Sequence, residues 1–126
     1  MKKILLGITI LSTLVGCMSM KNYADTAFYA KNTSSKPISF EAGIMKNSMS
    51  FGRYEVKNSF QVSPNDSILI IRTNFKKEYD NPQHMFSTFT IFPGDENTKY
   101  SDAQNPKNWK KYLKGDLVIY TFTLNE

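Results

Sequence analysis

Cysteine, histidine and tryptophan each occur only once in the 126 residues, at Cys17, His84 and Trp109. A lone cysteine cannot form an internal disulfide, so a folded domain must derive its stability from packing. A zinc site built from several cysteine and histidine ligands is disfavoured for the same reason. The sequence also has no apolar run as long as the roughly 20 residues that a membrane-spanning helix needs. These absences disfavour a disulfide scaffold, a zinc protein and a transmembrane protein.

The first seventeen residues have the layout of a secretory signal peptide. Two lysines follow the initial methionine, an apolar run occupies residues 4–15, and the cysteine comes directly after Gly16. This order of a basic start, a short apolar middle and a small-residue cleavage site is typical of exported proteins. The tetrapeptide Leu14-Val15-Gly16-Cys17 resembles the lipobox of bacterial lipoproteins. The resemblance implies that Cys17 receives a diacylglyceryl group, that the chain is cut before it, and that the new amino terminus is acylated.

The same resemblance predicts how the chain is divided and where it lies. Residues 1–16 would be removed, residues 17–24 would form a lipidated tether, and residues 25–126 would form one domain. Two or more acyl chains hold a protein durably at a membrane, so the membrane is a predicted partner through Cys17. Because no aspartate closely follows Cys17, the resemblance implies a location in the cell envelope, at the outer membrane and facing the periplasm.

Net charge says little about other partners. The formal charge of +5 includes Lys2 and Lys3, and it falls to +3 when they leave with the signal peptide. A small positive excess is typical of a soluble surface. No nucleic-acid-binding motif is present in the sequence, so no nucleic-acid partner is predicted. No cofactor is predicted either.

From residue 25 onward, apolar and polar side chains alternate with a period of two, which predicts β-strands. The predicted strands occupy residues 27–31, 38–42, 54–62, 67–73, 85–92 and 117–124. We expect the first two to pair as a hairpin. Residues 67–73 are apolar on both faces around Ile70, which predicts a buried central strand. The pattern predicts a single antiparallel β-sandwich, immunoglobulin-like or transthyretin-like in shape, with a small barrel as the alternative.

One short helix is predicted at residues 105–115, before the last strand. Asn105 suits the N-cap, Pro106 the first helical position, and Gly115 the position after the end. At about 100° per residue, one stripe of this helix would be basic, and Trp109 on the opposite stripe would dock on the sandwich. The candidate partner-binding residues on the basic stripe are Lys107, Lys110, Lys111 and Lys114. A solvated polar face is the alternative to a surface that binds an anionic partner.

Other residue groups match no catalytic or metal-binding pattern in the sequence. No serine lies in a G-x-S-x-G setting, and the acidic residues between positions 95 and 102 do not have EF-hand spacing. We therefore predict no catalytic residues and no metal ligands. Met45, Met49 and Phe51 are expected to fill an edge of the core, and an adaptable binding surface is the alternative.

These features predict a non-catalytic, membrane-anchored envelope lipoprotein that binds or assembles with another envelope component, most simply a protein. The alternative is a carrier of a small apolar or lipid ligand in a sandwich or barrel cavity. A filled interior favours the binding module, and a pocket above roughly 300 Å³ favours the carrier.

Overall fold

The computed structural model describes residues 24–94 and 96–126. Cys17 and the whole predicted signal peptide lie outside the described residues, as does Asp95. The described chain forms seven strands joined by turns and short 3-10 segments. The strands are β1 (Thr26–Asn32), β2 (Ile38–Ser48), β3 (Gly52–Val62), β4 (Asp66–Thr73), β5 (Thr88–Phe92), β6 (Trp109–Lys114) and β7 (Leu117–Thr123).

The strands form two sheets, which confirms the predicted all-β sandwich. One sheet has the order β4-β1-β7-β6 and the other has the order β3-β2-β5. All pairs are antiparallel except β1 with β7, which run parallel. The predicted hairpin between the first two strands is wrong, because β1 and β2 belong to different sheets. The buried side chain of Asn32 joins the sheets at this crossing, where its Nδ2 donates to the carbonyl of Val62 at 3.0 Å.

Aromatic rings fill the space between the sheets. The ring of Phe28 in β1 meets Phe75, Phe86 and Trp109 edge-on at centroid distances of 5.2–5.8 Å and stacks on Tyr120 at 5.4 Å. Edge-to-face and offset-stacked geometries are those that aromatic quadrupoles favour. In the other sheet Phe40 stacks between two further rings, those of Phe60 and Phe89, at 5.0 Å each. The interior is therefore a packed core, held without disulfides.

The apolar strand β4 lies at an edge of its sheet, so the prediction of a central strand there is wrong. The register between β1 and β4 shifts after Phe28, which pairs with Ile71, whereas Tyr29 pairs with Leu69. Ile70 is thus an extra residue in a β-bulge, and a bulge interrupts the alternation of faces. Ile68, Ile70 and Ile71 are all partly buried against the core, while Leu69 is exposed. The bulge explains a run of apolar residues that looked buried on both faces.

The predicted helix at residues 105–115 is absent from the structure. Asn105 does cap a turn, because its Oδ1 accepts a hydrogen bond from the backbone N–H of Lys107 at 3.0 Å. That turn is a 3-10 helix of only three residues, Pro106–Asn108. The chain then continues as β6 and pairs with β7. Gly115 has a φ of 62°, which suits the first position of a two-residue hairpin turn. Pairing with β7 along all six residues of β6 stabilises the segment as a strand, whereas a helix this short is unstable in isolation.

Candidate functional site

One end of the sandwich, which we call the N-terminal end, is where the described chain begins at Ala24. β1 starts there, and β7 starts beside it, because the N–H of Val118 donates to the carbonyl of Asp25 at 2.9 Å. The segment between β4 and β5, residues 74–87, covers this end. Its Phe75 N–H donates to Asp25 Oδ1 at 2.8 Å. Asp25 therefore links the start of the described chain to residues 74–87 through its side chain and to the central strand β7 through its carbonyl.

The carboxylate of Asp25 is held in its charged form. Burial alone would raise its pKa, but hydrogen bonds from the Thr26 hydroxyl and the Phe75 N–H, with the charge of Lys76, together lower it. The Thr26 hydroxyl donates at 2.6 Å. A carboxyl whose pKa is lowered in the folded state stabilises the fold at neutral pH and loses that effect as the pH falls through the folded-state pKa.

A groove of about 1050 Å³ opens beside Asp25 at the N-terminal end. Only Phe75 among the twelve residues that line it is buried, and seven of the other eleven are charged. The charged lining residues are Asp25, Arg72, Lys76, Lys77, Glu78, Lys114 and Asp116. The groove lies outside the aromatic core and carries charges of both signs. It therefore offers a polar surface near the start of the domain, and Lys114 is the one candidate lysine that lines it.

A second feature of this end is the hairpin tip, which we define as Met49, Ser50 and Phe51 between β2 and β3. Met49 is fully exposed and Phe51 is 85% exposed. The expectation that these two residues fill a core edge is therefore wrong, whereas Met45 is half-buried. β2 and β3 pair from Ile38 to Ser48, but β5 pairs with β2 only as far as Gly43. The outer part of the β2–β3 hairpin thus extends beyond β5, the third strand of the sheet.

The base of this hairpin is fixed to the body of the sandwich. The Glu55 carboxylate accepts a hydrogen bond from the Ser87 hydroxyl at 2.7 Å and another from the Thr88 hydroxyl at 3.1 Å. The Ser87 hydroxyl is the main cause of the lowered pKa of Glu55. Ser87 also donates its N–H to the carbonyl of Gly43 at 2.8 Å. These bonds hold the direction of the hairpin at the point where it leaves β5.

The four candidate lysines do not form the predicted stripe. Lys107 lies in the 3-10 turn, and the other three lie on β6, where successive side chains point to opposite faces. Lys110 and Lys114 therefore share one face of the strand with Tyr112, and Lys111 lies on the face of Trp109. The prediction that Trp109 is buried is confirmed, since it is 6% exposed. Its Nε1 donates to the carbonyl of Ala103 at 2.9 Å.

Lys111 has partners within the protein. Its Nζ lies 3.8 Å from Asp80 Oδ1 and 5.4 Å from the ring centroid of Tyr79. Both are exposed or half-exposed contacts, where an ion pair stabilises by about 1 kcal/mol or less. β6 is an edge strand of its sheet. Lysines on an edge strand discourage pairing with another chain, which is the solubility role weighed against partner binding.

His84 belongs to a surface ion pair. Its Nδ1 lies 2.9 Å from Glu78 Oε2, and both side chains are about half-exposed. Within residues 24–94 and 96–126, no three His, Cys, Asp or Glu side chains come close enough together to hold a metal ion. His84 and Glu78 therefore act together as a link between the two 3-10 turns of the covering segment, Lys76–Glu78 and Pro82–Met85.

Tyr120 carries a buried hydroxyl whose hydrogen-bonding capacity is unused by any described residue. Burial, with the charges of Asp80 and Tyr79, raises the pKa of Tyr120 to about 12. An unpaired buried hydroxyl destabilises a fold because it has lost its hydrogen bonds to water.

Tyr120→Phe is therefore expected to leave the free energy of unfolding unchanged or to raise it by up to about 1 kcal/mol. The ring stack on Phe28 is kept in this variant. Urea denaturation measures the effect, with Tyr112→Phe on the exposed face of β6 as the control that should change nothing. A loss of more than about 1 kcal/mol would show that the hydroxyl has a partner.

Comparison of the chain with protein-family models, with curated proteins and with solved structures gave no match. Across the described residues, no helix has the length and apolar character needed to cross a membrane.

Proposed function

We propose that the protein is a lipid-anchored lipoprotein of the cell envelope whose sandwich domain is a non-catalytic binding or assembly module for another envelope component. The observation that carries the proposal is the tetrapeptide Leu14-Val15-Gly16-Cys17 after a basic start and an apolar run. The described domain begins at Ala24, only seven residues after Cys17. A domain so close to its anchor would stay near the membrane surface, at the outer membrane and facing the periplasm.

The first test is Cys17→Ser. This variant is expected to lose palmitate labelling completely and to accumulate as the uncleaved precursor, because lipidation at this cysteine precedes cleavage in lipoproteins. Wild type and variant are labelled side by side in the producing bacterium and compared on the same gel. Ser19→Ala, two residues away, is the control that should label as the wild type does. Equal labelling of Cys17→Ser and wild type would remove the anchor from the proposal.

The binding surface is supported by the exposed charges of β6 and the neighbouring groove. Lys110 and Lys114 lie on the exposed face of the edge strand, and Lys114 also lines the groove. Lys107 lies in the turn before the strand and Lys111 is engaged with Asp80. Among the four candidates, Lys110 and Lys114 are thus the pair best placed to meet an anionic partner.

The groove of about 1050 Å³ also favours the second candidate function, a carrier of a small ligand, because it exceeds the roughly 300 Å³ of a small-molecule pocket. The charged residues that line the groove do not suit the small apolar or lipid ligand expected from the sequence. Exposed charges of both signs suit a polar or zwitterionic molecule, whereas the aromatic rings fill the apolar interior. We rank the carrier second because the lining of the groove does not suit the apolar or lipid ligand that the sequence suggested.

A further inference from the structure

The hairpin tip and the start of the domain lie at the same end of the sandwich. β1 begins at Thr26 and runs away from the N-terminal end, the chain crosses to the other sheet, and β2 runs back to finish at Ser48. The opposite ends of the two sheets are joined by the Asn32–Val62 hydrogen bond. The tip therefore lies at the end of the sandwich where the described chain begins, at Ala24.

The lengths of the two features are comparable. Ser48 is five residues beyond Gly43, the last residue of β2 that pairs with β5, so the hairpin continues for about 17 Å beyond β5 at roughly 3.4 Å per residue. The seven residues from position 18 to position 24 span at most about 25 Å. A lipid on Cys17 would thus hold the N-terminal end close enough to a bilayer for the tip to reach its surface.

The chemistry of the tip changes in an ordered way along the hairpin. Met49 and Phe51 expose apolar side chains at the end. Lys46 and Arg53 follow on the two strands, and Lys46 pairs with Tyr54, which is also exposed. Lys46 and Arg53 lie on opposite faces, because Arg53 pairs with Asn47. An apolar end, then basic groups, then a tyrosine is the order that the acyl boundary and the anionic headgroups of a bilayer favour.

We infer that the tip of the β2–β3 hairpin inserts into the headgroup region of the membrane that holds the lipid, and so fixes the orientation of the domain. This inference rests on the proposed lipid anchor. The fixed base of the hairpin, with Glu55 bound to Ser87 and Thr88, transmits that orientation to the rest of the sandwich. The distal turn around Ser35 would then face away from the membrane.

The test uses the full lipidated protein in vesicles that contain equal amounts of phosphatidylcholine and phosphatidylglycerol, together with a spin-labelled quenching lipid. Because Cys17 is the only native cysteine and its thiol would carry lipid, an added cysteine is the single free thiol. Ser50→Cys places an environment-sensitive fluorophore at the tip and keeps Met49 and Phe51. Ser35→Cys is the matched control, an exposed serine in a turn at the opposite end.

We expect the fluorophore at position 50 to shift to the blue and to be quenched, and the one at position 35 to do neither. Adding Met49→Ser and Phe51→Ser to the position-50 protein should abolish the shift. Lys46→Gln with Arg53→Gln should weaken quenching in the anionic vesicles and not in phosphatidylcholine alone.

Flotation of the labelled protein with the vesicles separates the two proposals. The inference that the tip inserts is wrong if the protein floats with the vesicles but the fluorophore at position 50 behaves like the one at position 35. It is also wrong if Met49→Ser and Phe51→Ser change nothing. In both cases the proposed lipid anchor is retained. If neither labelled protein floats, the proposed lipid anchor is wrong, and the inference that the tip inserts is wrong as well because it rests on the anchor.

Discussion

Replacing Phe28 by alanine is expected to lower the free energy of unfolding by about 3–5 kcal/mol, the range seen for large aromatic truncations in a core. Phe28 is fully buried and its ring contacts four other rings, those of Phe75, Phe86, Trp109 and Tyr120. Removal of the ring leaves a cavity that stiff aromatic neighbours cannot fill by small rotations. Since domains of this size are stable by only about 5–15 kcal/mol in total, the variant should unfold at a much lower temperature.

Urea unfolding followed by the fluorescence of Trp109 measures this effect, because Trp109 is the only tryptophan and lies 5.8 Å from the Phe28 ring. Phe51→Ala is the control, since the same truncation at an 85% exposed ring should change stability by less than about 0.5 kcal/mol. If Phe28→Ala cost under about 1 kcal/mol, the aromatic cluster would not be the core that the packing indicates.

Asn32→Asp is expected to be the second most damaging single change, with a loss of about 3–5 kcal/mol at neutral pH. Asn32 is fully buried, and its Nδ2 donates to the carbonyls of Lys36 at 2.7 Å and Val62 at 3.0 Å. Its Oδ1 accepts from the N–H and the hydroxyl of Ser34 at 2.8 and 2.6 Å. A carboxylate would put a negative oxygen against two carbonyl oxygens and would leave a buried charge without a cation.

The damage should depend on pH. Burial raises the pKa of a carboxyl group at this site above its value in the unfolded chain. The folded state therefore takes up a proton first as the pH falls, so the loss of stability shrinks between neutral pH and the pKa of the unfolded carboxyl. Urea denaturation at pH 7 and at pH 4 measures this, with Asn58→Asp as the control because the side chain of Asn58 is exposed. A loss that is equal at both pH values would contradict the buried carboxylate.

Much of the strand content could be predicted from the sequence because strand alternation is a local property. In the strand predicted at residues 117–124, every second residue is large and apolar, and these residues, Val118, Tyr120, Phe122 and Leu124, are all buried. The residues between them, among them Thr121 and Thr123, are only partly buried, so the period of two indicates which face is buried. Trp109 was expected to be buried for a different reason, as part of the apolar stripe of a helix, and it is buried, although it lies on a strand.

The candidate site was harder to predict. Asn105, Pro106 and Gly115 are signals for a helix start and end, yet the same residues serve a 3-10 turn and a hairpin turn equally well. Whether residues 109–114 form a helix or a strand depended on whether β7 could pair with their backbone. The residues between positions 105 and 115 carry no information about that pairing. The faces of Lys110, Lys111 and Lys114 changed with that choice, so the predicted basic stripe was lost.

The sequence by itself determined that residues 25–126 are rich in β-strands, that no internal disulfide can form, that the strand at residues 117–124 has one buried face, and that the N-terminus resembles a lipoprotein signal. Only the tertiary structure decided that β4 lies at an edge with a bulge at Ile70, and that Met49 and Phe51 lie at an exposed tip. The physical reason is the range of the interactions involved. Side-chain alternation depends on neighbours in the chain, whereas strand order, bulges and the length by which a hairpin exceeds its sheet depend on residues far apart in sequence.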